Sequence, residues 1–434
     1  MGRTLFAIVL LVAMGTSCAQ SVEWRNGLWF DGTAFVPGTR WSVDAAFVAK
    51  KPARIDRVED LEERHVVPAY GDAHHHGIDS ADGLADKITV FLEAGIFYAK
   101  NPNVIADLLT PEVRAKLNRP ESVDIVFANG GLTSSGGHPA PLHAYLAGVG
   151  VFPGLKPEDM ENRAYFIIDS EADLEAKWPR ILAGKPDFLK TFLLFTEPLP
   201  GGQSTFFHLA KERPAGHHGL DPKVLAAIVR RAHDAGLRVT THIDTAGDFR
   251  HAVEAGVDEI NHLPQPDQRY SPDLSAYVID PATARLAARR GITVVTTAST
   301  TERLSPSLNP NWIPAMRANQ VANLKTLREA GVRLAIGSDA ISGERRYVTA
   351  RDEVRFLVRH QMLDPLTLLQ AWAVNTPKTI FPDRRIGELR PGFEVSFLVL
   401  AGNPLEDPEN LHRIAMRVKQ GRVLPPMPVI TLGR

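Results

Sequence analysis

The segment Asp72-Ala73-His74-His75-His76 puts three adjacent histidines directly after an apolar run that ends at Tyr70. In extended backbone, residues two apart point to the same side, so His74 and His76 can chelate one metal ion. Three histidines in a row after such a run have no packing rationale, whereas neutral imidazoles are ready metal ligands. Four more chemistry-bearing residues stand in or after apolar runs further along. Lys190 lies inside Phe188-Leu189-Lys190-Thr191-Phe192-Leu193-Leu194-Phe195, His242 follows Leu237 to Thr241, His262 follows Glu259-Ile260, and Asp339 sits in Ile336-Gly337-Ser338-Asp339-Ala340. Each alone has a plain structural explanation: a surface histidine, a snorkelling lysine, a helix-capping aspartate. An unpaired ammonium inside so apolar a run, however, is costly to bury. What carries weight is the joint pattern of His-x-His, Lys, His, His and Asp, each at a different strand end and in that order.

Those residues need a scaffold that brings strand ends together. Between Val66 and about Phe381, apolar strand-like runs alternate with segments of helical period, the signature of βα units and a parallel sheet. The clearest helix starts at Asp221-Pro222, repeats Val224, Leu225, Ile228, Val229 and Ala232 at helical spacing, and stops at Gly236. Candidate strands are Val66 to Tyr70, Ile96 to Lys100, Val123 to Phe127, Phe188 to Leu193, Leu237 to Thr241, Glu259-Ile260, Ile292 to Thr296 and Arg333 to Ile336. Eight strands with intervening helices predict an α/β fold of the (β/α)8 TIM-like barrel type, in which functional side chains gather at the carboxyl ends of the strands. A doubly wound open sheet would want a Gly-rich phosphate turn after an early strand, and none is present. Short, turn-punctuated runs precede and follow the barrel, as at Leu28-Trp29-Phe30 and Val395 to Leu400, and predict a small β-sandwich built from both ends of the chain. The expected division is therefore a leader over 1–19, sandwich over 20–65, barrel over 66–384 and sandwich again over 385–434.

Composition bounds the partners. The 434 residues are 44% hydrophobic and 23% charged, an ordinary globular balance that excludes disordered, collagenous and coiled-coil classes. A net charge of −1 gives no electrostatic case for nucleic acid or an anionic membrane, so the partner is a small molecule, and a homo-oligomer is compatible with the chain. The single cysteine, Cys18, rules out an intramolecular disulfide and a cysteine-based zinc site. It belongs instead to the amino terminus. There Arg3 precedes an apolar run from Leu5 to Met14 too short to span a bilayer, and Ser17-Cys18-Ala19 offers small residues for cleavage. The expectation is an exported protein, periplasmic or secreted, with a lipid anchor on Cys18 as the alternative.

Val66-Val67-Pro68-Ala69-Tyr70-Gly71-Asp72-Ala73-His74-His75-His76 resembles the first-strand motif of the amidohydrolase superfamily, and Lys190, His242, His262 and Asp339 match its remaining ligand positions in order and approximate spacing. Asn375-Thr376-Pro377 and Ile386-Gly387-Glu388-Leu389-Arg390-Pro391-Gly392 resemble its carboxyl-terminal motifs. Ala69 stands where the family usually has glycine, and Phe393-Glu394-Val395-Ser396 replaces its Lys-x-Ala-Asp; neither touches a ligand. The resemblance implies two divalent metal ions, zinc by preference, bridged by a carboxylated Lys190. His74, His76 and Asp339 would hold the first ion and His242 and His262 the second, with a bridging hydroxide as nucleophile and Asp339 as proton carrier. The implied activity is hydrolysis of a C–N bond in an amide, peptide or cyclic amide. Lactone, ester or phosphoester hydrolysis is the alternative, and a non-catalytic binding protein a remote one. Gly130-Gly131 and Gly136-Gly137-His138-Pro139 resemble a loop of the imidazolonepropionase-like and prolidase-like members, which implies that His138 faces the substrate and stabilises an oxyanion or binds a carboxylate.

Overall fold

The computed structural model describes residues 20–152, 154–196, 218–265, 274–300, 303, 312–340 and 348–427. The leader read over residues 1–19, with Cys18, lies outside them, as does most of the loop from Thr196 to Leu220, His217 included. Among the described residues no helix is long and apolar enough to cross a membrane.

Five strands open the chain: β1 (Ser21–Phe30), β2 (Phe35–Val43), β3 (Ala46–Val48), β4 (Arg57–Asp60) and β5 (His65–Pro68). Ten shorter ones follow: β6 (Tyr70–Asp72), β7 (Ile96–Asn101), β8 (Asp124–Phe127), β9 (Gly131–Thr133), β10 (Tyr165–Ile167), β11 (Leu189–Phe192), β12 (Val239–His242), β13 (Glu259–Asn261), β14 (Thr293–Val295) and β15 (Arg333–Ala335). β16 (Phe397–Leu400), β17 (Ile414–Lys419) and β18 (Arg422–Val423) close the chain.

The first five strands and the last three share one eight-stranded sheet, joined where β5 pairs antiparallel with β16, Val67 opposite Leu398. Both ends of the chain thus meet, as the turn spacing predicts, although their hydrogen bonding defines a single sheet rather than two sandwiched layers. A bulge between Trp24 and Gly27, with Asn26 at φ 55°, redirects β1 so that its first half pairs with β4 and its second with β5. The sheet encloses its own apolar cluster. Phe397 is fully buried in it, with its ring edge-on to Trp24 at 5.0 Å and Trp29 at 5.5 Å. The two indole nitrogens find partners at Ser42 Oγ and the Gly38 carbonyl, both 2.9 Å away, which is what lets tryptophans be buried there.

The ten middle strands pair in parallel, β6-β7-β8 in one sheet and β10-β9-β11-β12-β13-β14-β15 in another. Helices alternate with them, and the arrangement fits a (β/α)8 barrel without closing into a single sheet. Individual backbone bonds cross the two gaps: Ala73 N to Ile336 O at 2.9 Å, and Asp187 N to Phe127 O at 2.9 Å. Seven of the eight expected strands fall where the apolar runs place them. The first differs: the run Val66 to Tyr70 splits at Ala69, with His65–Pro68 in the terminal sheet and Tyr70–Asp72 beginning the parallel strands. β9 and β10 are additional to the expected strands; at β9, Gly130-Gly131 reads as loop.

Helix ends follow local chemistry. Helix Pro222–Asp234 is capped by Asp221, whose carboxylate accepts the Lys223 amide at 2.7 Å, and Gly236 turns at φ 73° beyond its end. Helices Ala246–Ala255 and Ala350–Arg359 both open on capping boxes, Thr245 with Asp248 and Thr349 with Asp352.

Replacing Phe397 by alanine should lower the free energy of unfolding by about 3–5 kcal/mol, since the void lies in a small, closed cluster. Urea denaturation measures this, and a loss under about 1 kcal/mol would show that the terminal sheet does not depend on that ring.

Candidate metal centre

His74 and His76 follow β6, Lys190 lies in β11, His242 ends β12, His262 follows β13 and Asp339 follows β15. All six line one cavity of about 240 Å³, and His138 joins them from the loop after β9. The sequence-derived set is therefore brought together whole.

The alternation expected of His74-His75-His76 is observed. His75 turns away, its Nε2 3.2 Å from the Val348 carbonyl and its ring edge-on to Phe91. His74 and His76 face each other with Nε2 atoms 3.1 Å apart, and Asp339 Oδ1 lies 3.2 Å from the first and 3.4 Å from the second. Ligand atoms around a tetrahedral ion with bonds of roughly 2.1 Å are separated by about 3.4 Å. The three atoms therefore have the spacing of one face of a coordination shell. His74, His262 and Asp339 also present one ligand atom each within 4.8 Å of one another, so Asp339 stands between both histidine groups. The His262 ring lies 4.4 Å from that of His242 and 4.8 Å from that of His74.

Charge in this cluster is governed by burial. Desolvation, helped by the nearby Lys190 ammonium, pushes the His74 imidazole down to about 3, and burial likewise holds His262 well below the usual histidine range. Neutral rings leave a lone pair for a cation. Burial would raise the Asp339 carboxyl, but His74 and His76 outweigh it and hold the group well below the carboxylate range. The Lys190 amine is pushed down to about 7, mainly by desolvation, and donates to Asn261 Oδ1 at 2.6 Å. Beneath it, Glu259 accepts from Lys100 at 2.9 Å and from Asn261 Nδ2 at 3.1 Å.

Several residues that build the site were not singled out from sequence. Asp72, fully buried, accepts from the His74 amide, from the Ser338 amide and hydroxyl, and from the Ala350 amide at 2.8–3.3 Å, while burial pushes its carboxyl up to about 7. Thr297 Oγ1 lies 2.7 Å from His262 Nδ1 and fixes that ring. Asp248 accepts five hydrogen bonds from Phe195, Thr196, Asp244 and Thr245, and so holds the starts of the loops after β11 and β12. The signal for Asn261 was available: Glu259 and Asn261 alternate on a short strand, which puts both side chains on the same face as Lys190's neighbours.

His262 at φ 79° and Asp339 at φ 50° occupy the left-handed region, uncommon for non-glycine residues and typical of functional positions. Gly337 lets the β15 end pass His74: a Cβ there would lie 2.7 Å from His74 Cβ and from Val295 Cγ1. His138 is held by its amide bond to the His218 carbonyl at 2.8 Å, and its ring lies 5.2 Å from that of His242 and 5.3 Å from that of Phe192.

A parallel βα framework thus carries at its strand ends a cluster, His74, His262 and Asp339, that could hold a metal ion beside a cavity. Residues 203–424, about half of the sequence, match the model of the amidohydrolase family, and the chain belongs to that family. The match contains His242, His262 and Asp339, while His74, His76 and Lys190 lie outside it and join them by geometry. No curated protein sequence matches the chain. Solved structures share its fold over nearly its whole length. An amidohydrolase is 20% identical with a TM-score of 0.70, covering 93% of this chain and 99% of its own. Aspergillus niger ochratoxinase is 18% identical at 0.70 over 93% and 95%. A Xaa-Pro dipeptidase with methionine in its active site is 17% identical at 0.68 over 93% and 100%.

Zinc added to chelator-treated protein at a hundred times its Kd should raise stability by about 2.7 kcal/mol, seen as a higher melting temperature. His76→Gln and Asp339→Asn should each remove most of that gain. A wild-type melting curve that zinc does not move would dismiss the cluster as a metal shell.

Proposed function

We propose that the chain is an exported, metal-dependent hydrolase that cleaves a C–N amide, peptide or cyclic amide bond. The observation that carries this reading is the 3.1–3.4 Å triangle of His74 Nε2, His76 Nε2 and Asp339 Oδ1, next to His242 and His262 and above a buried lysine amine. Family membership supports hydrolysis in general. The fold shared with a dipeptidase and an ochratoxinase is consistent with a C–N bond as its target.

In this reading His74, His76 and Asp339 would hold one divalent ion and His242 and His262 a second, with Lys190, as a carbamate, a further ligand; zinc suits the nitrogen-rich donor set. Bound there, the ions supply a water activated near neutral pH and a Lewis acid for the scissile carbonyl. Lys190 suits its part because burial brings its amine to about 7, leaving an appreciable neutral fraction whose lone pair forms the N–C bond to carbon dioxide as a proton is lost. The product anion replaces a buried cation whose one side-chain hydrogen-bond acceptor among the described residues is the Asn261 carbonyl. Asp339 takes a proton from the attacking water and delivers it to the departing nitrogen, so that hydroxyl ends on the acyl carbon and hydrogen on the amine. His138, neutral because burial and the neighbouring His242 hold it well below the histidine range, donates a hydrogen bond to the developing oxyanion.

N-acyl amino acids and dipeptides, assayed beside lactones and phosphotriesters, decide the reaction class. Amide turnover with close to two zinc equivalents per chain is expected, Asp339→Asn should lower kcat at least a thousandfold with the fold retained, and Lys190→Ala should lose metal. Turnover of esters alone would replace the amide reading by the lactonase one, and a single metal equivalent would remove the bridge. The export proposal rests on the leader over residues 1–19. Sequencing the amino terminus of the protein recovered outside the cytoplasm should begin at Gln20, and an intact Met1 would overturn it.

A further inference from the structure

The cavity has two unlike halves. One carries the histidines, Lys190 and Asp339; the other is an apolar wall of Val104, Ile105 and Leu108 with Leu142, Leu146 and Phe152, in which Ile105, Leu108 and Phe152 belong to one packed cluster. Much of that wall is the helix Ala140–Gly148, whose sequence Ala-Pro-Leu-His-Ala-Tyr-Leu-Ala-Gly has no charged residue on any face. A helix at a protein surface normally turns a polar face to water. This one leaves Leu142 45% and Tyr145 65% exposed. Of nine large apolar residues exposed among those described, four lie between 142 and 151, a concentration rather than the scatter expected of an ordinary surface.

The polar groups within the wall carry no free charge. His143 Nε2 lies 3.2 Å from Asn103 Nδ2, and burial pushes its imidazole down to about 4, so it is neutral at pH 7. Asp79, at the edge, is paired with Lys87 at 3.4 Å. Among the described lining residues, Lys190 is the sole lysine or arginine, and it stands at the ligand end. A charged substrate arm laid along the wall would lose its hydration without a partner. An apolar one would gain from leaving water.

We propose that this wall binds an aromatic or branched aliphatic substituent on one side of the scissile bond, so that the substrates are hydrophobic amides rather than charged peptides. An apolar cavity of roughly 150 Å³ holds a benzene molecule. The 240 Å³ here takes a phenyl ring with the amide beside the ligands. The scissile bond in this statement rests on the hydrolase reading above; the wall rests on its own geometry.

Two matched pairs test it on the zinc-loaded protein: N-benzoylglycine against N-acetylglycine for the acyl side, and N-acetylphenylalanine against N-acetylglycine for the amine side. In one pair kcat/KM should favour the apolar member at least tenfold. Leu142→Asn and Leu146→Asn, both at partly exposed positions that tolerate the change, should each cut that ratio tenfold, while Leu182→Asn, an exposed leucine of helix Glu171–Ala183, should leave it alone. Equal rates within both pairs, or a preference that the wall variants do not touch, overturns the proposal. If neither pair is hydrolysed, calorimetry of benzoate against acetate separates the two claims. Benzoate bound tenfold more tightly, and that advantage lost in Leu146→Asn, upholds the wall and leaves only the hydrolase reading to fall; equal binding overturns the wall.

Discussion

The buried carboxylate of Asp72 is the interaction on which the rest of the site depends. Where the first and last parallel strands run out of regular pairing, Asp72 gathers the amides of His74, Ser338 and Ala350 and the Ser338 hydroxyl onto its two oxygens. Ser338 and Asp339 in turn give their amides to the His74 carbonyl at 3.1 and 2.7 Å. The distance between the His-x-His pair and Asp339 is therefore fixed by backbone bonds from both sides rather than by the ligands themselves. A carboxylate without those donors would be too poorly solvated to stay there, and hydrogen bonds to a charged group contribute roughly 1.5–3 kcal/mol each. Asn or Ala at position 72 would loosen a place where chain segments more than 260 residues apart must agree to within a few tenths of an ångström.

Below that clamp, the interior is layered by charge. Lys100 and Glu259 form a buried pair in which Glu259 also accepts from Thr240 and Thr379, so its net charge is close to zero and both carboxylate oxygens are used. Lys190 sits above it with one direct acceptor, Asn261. The lower ammonium is matched by a carboxylate. The upper one has a neutral amide oxygen in that place. Two lysines in the same interior thus take different roles from the partners given to each, and the descent of Lys190 to about 7 follows from having lost water without gaining a carboxylate.

How much of this was legible in sequence follows the same physics. Lys190, His242, His262 and Asp339 stood out because each interrupts or ends an apolar run, and a parallel strand buried on both faces reads as nearly continuous hydrophobic sequence. Residues whose work is second-hand were silent. Asp72 is part of the histidine motif as written, and Thr297 is one of several threonines around Val295. The boundary at Ala69 was hidden because the run from Val66 to Tyr70 is apolar throughout, while its two halves serve different sheets. β9 was hidden by its glycine, which is there because a Cβ at Gly131 would lie 2.4 Å from the Phe192 ring. Close packing, not flexibility, set that residue, and glycine writes both in the same letter.

The apolar wall was silent for a different reason. Nothing in Ala140–Gly148 breaks a helical pattern, but the segment has no amphipathic stripe either, and a helix without one reads as core. Its partial exposure makes sense only once the cavity beside it is known. The site therefore combines two burial regimes that the sequence records in opposite ways: polar residues placed where apolar ones belong, at the ligands, and apolar residues placed where polar ones belong, at the wall. On the functional reading proposed above, a cation answers the first and an apolar ligand surface the second. A molecule suited to both adjoining faces of the cavity presents a coordinating group and a hydrophobic body together.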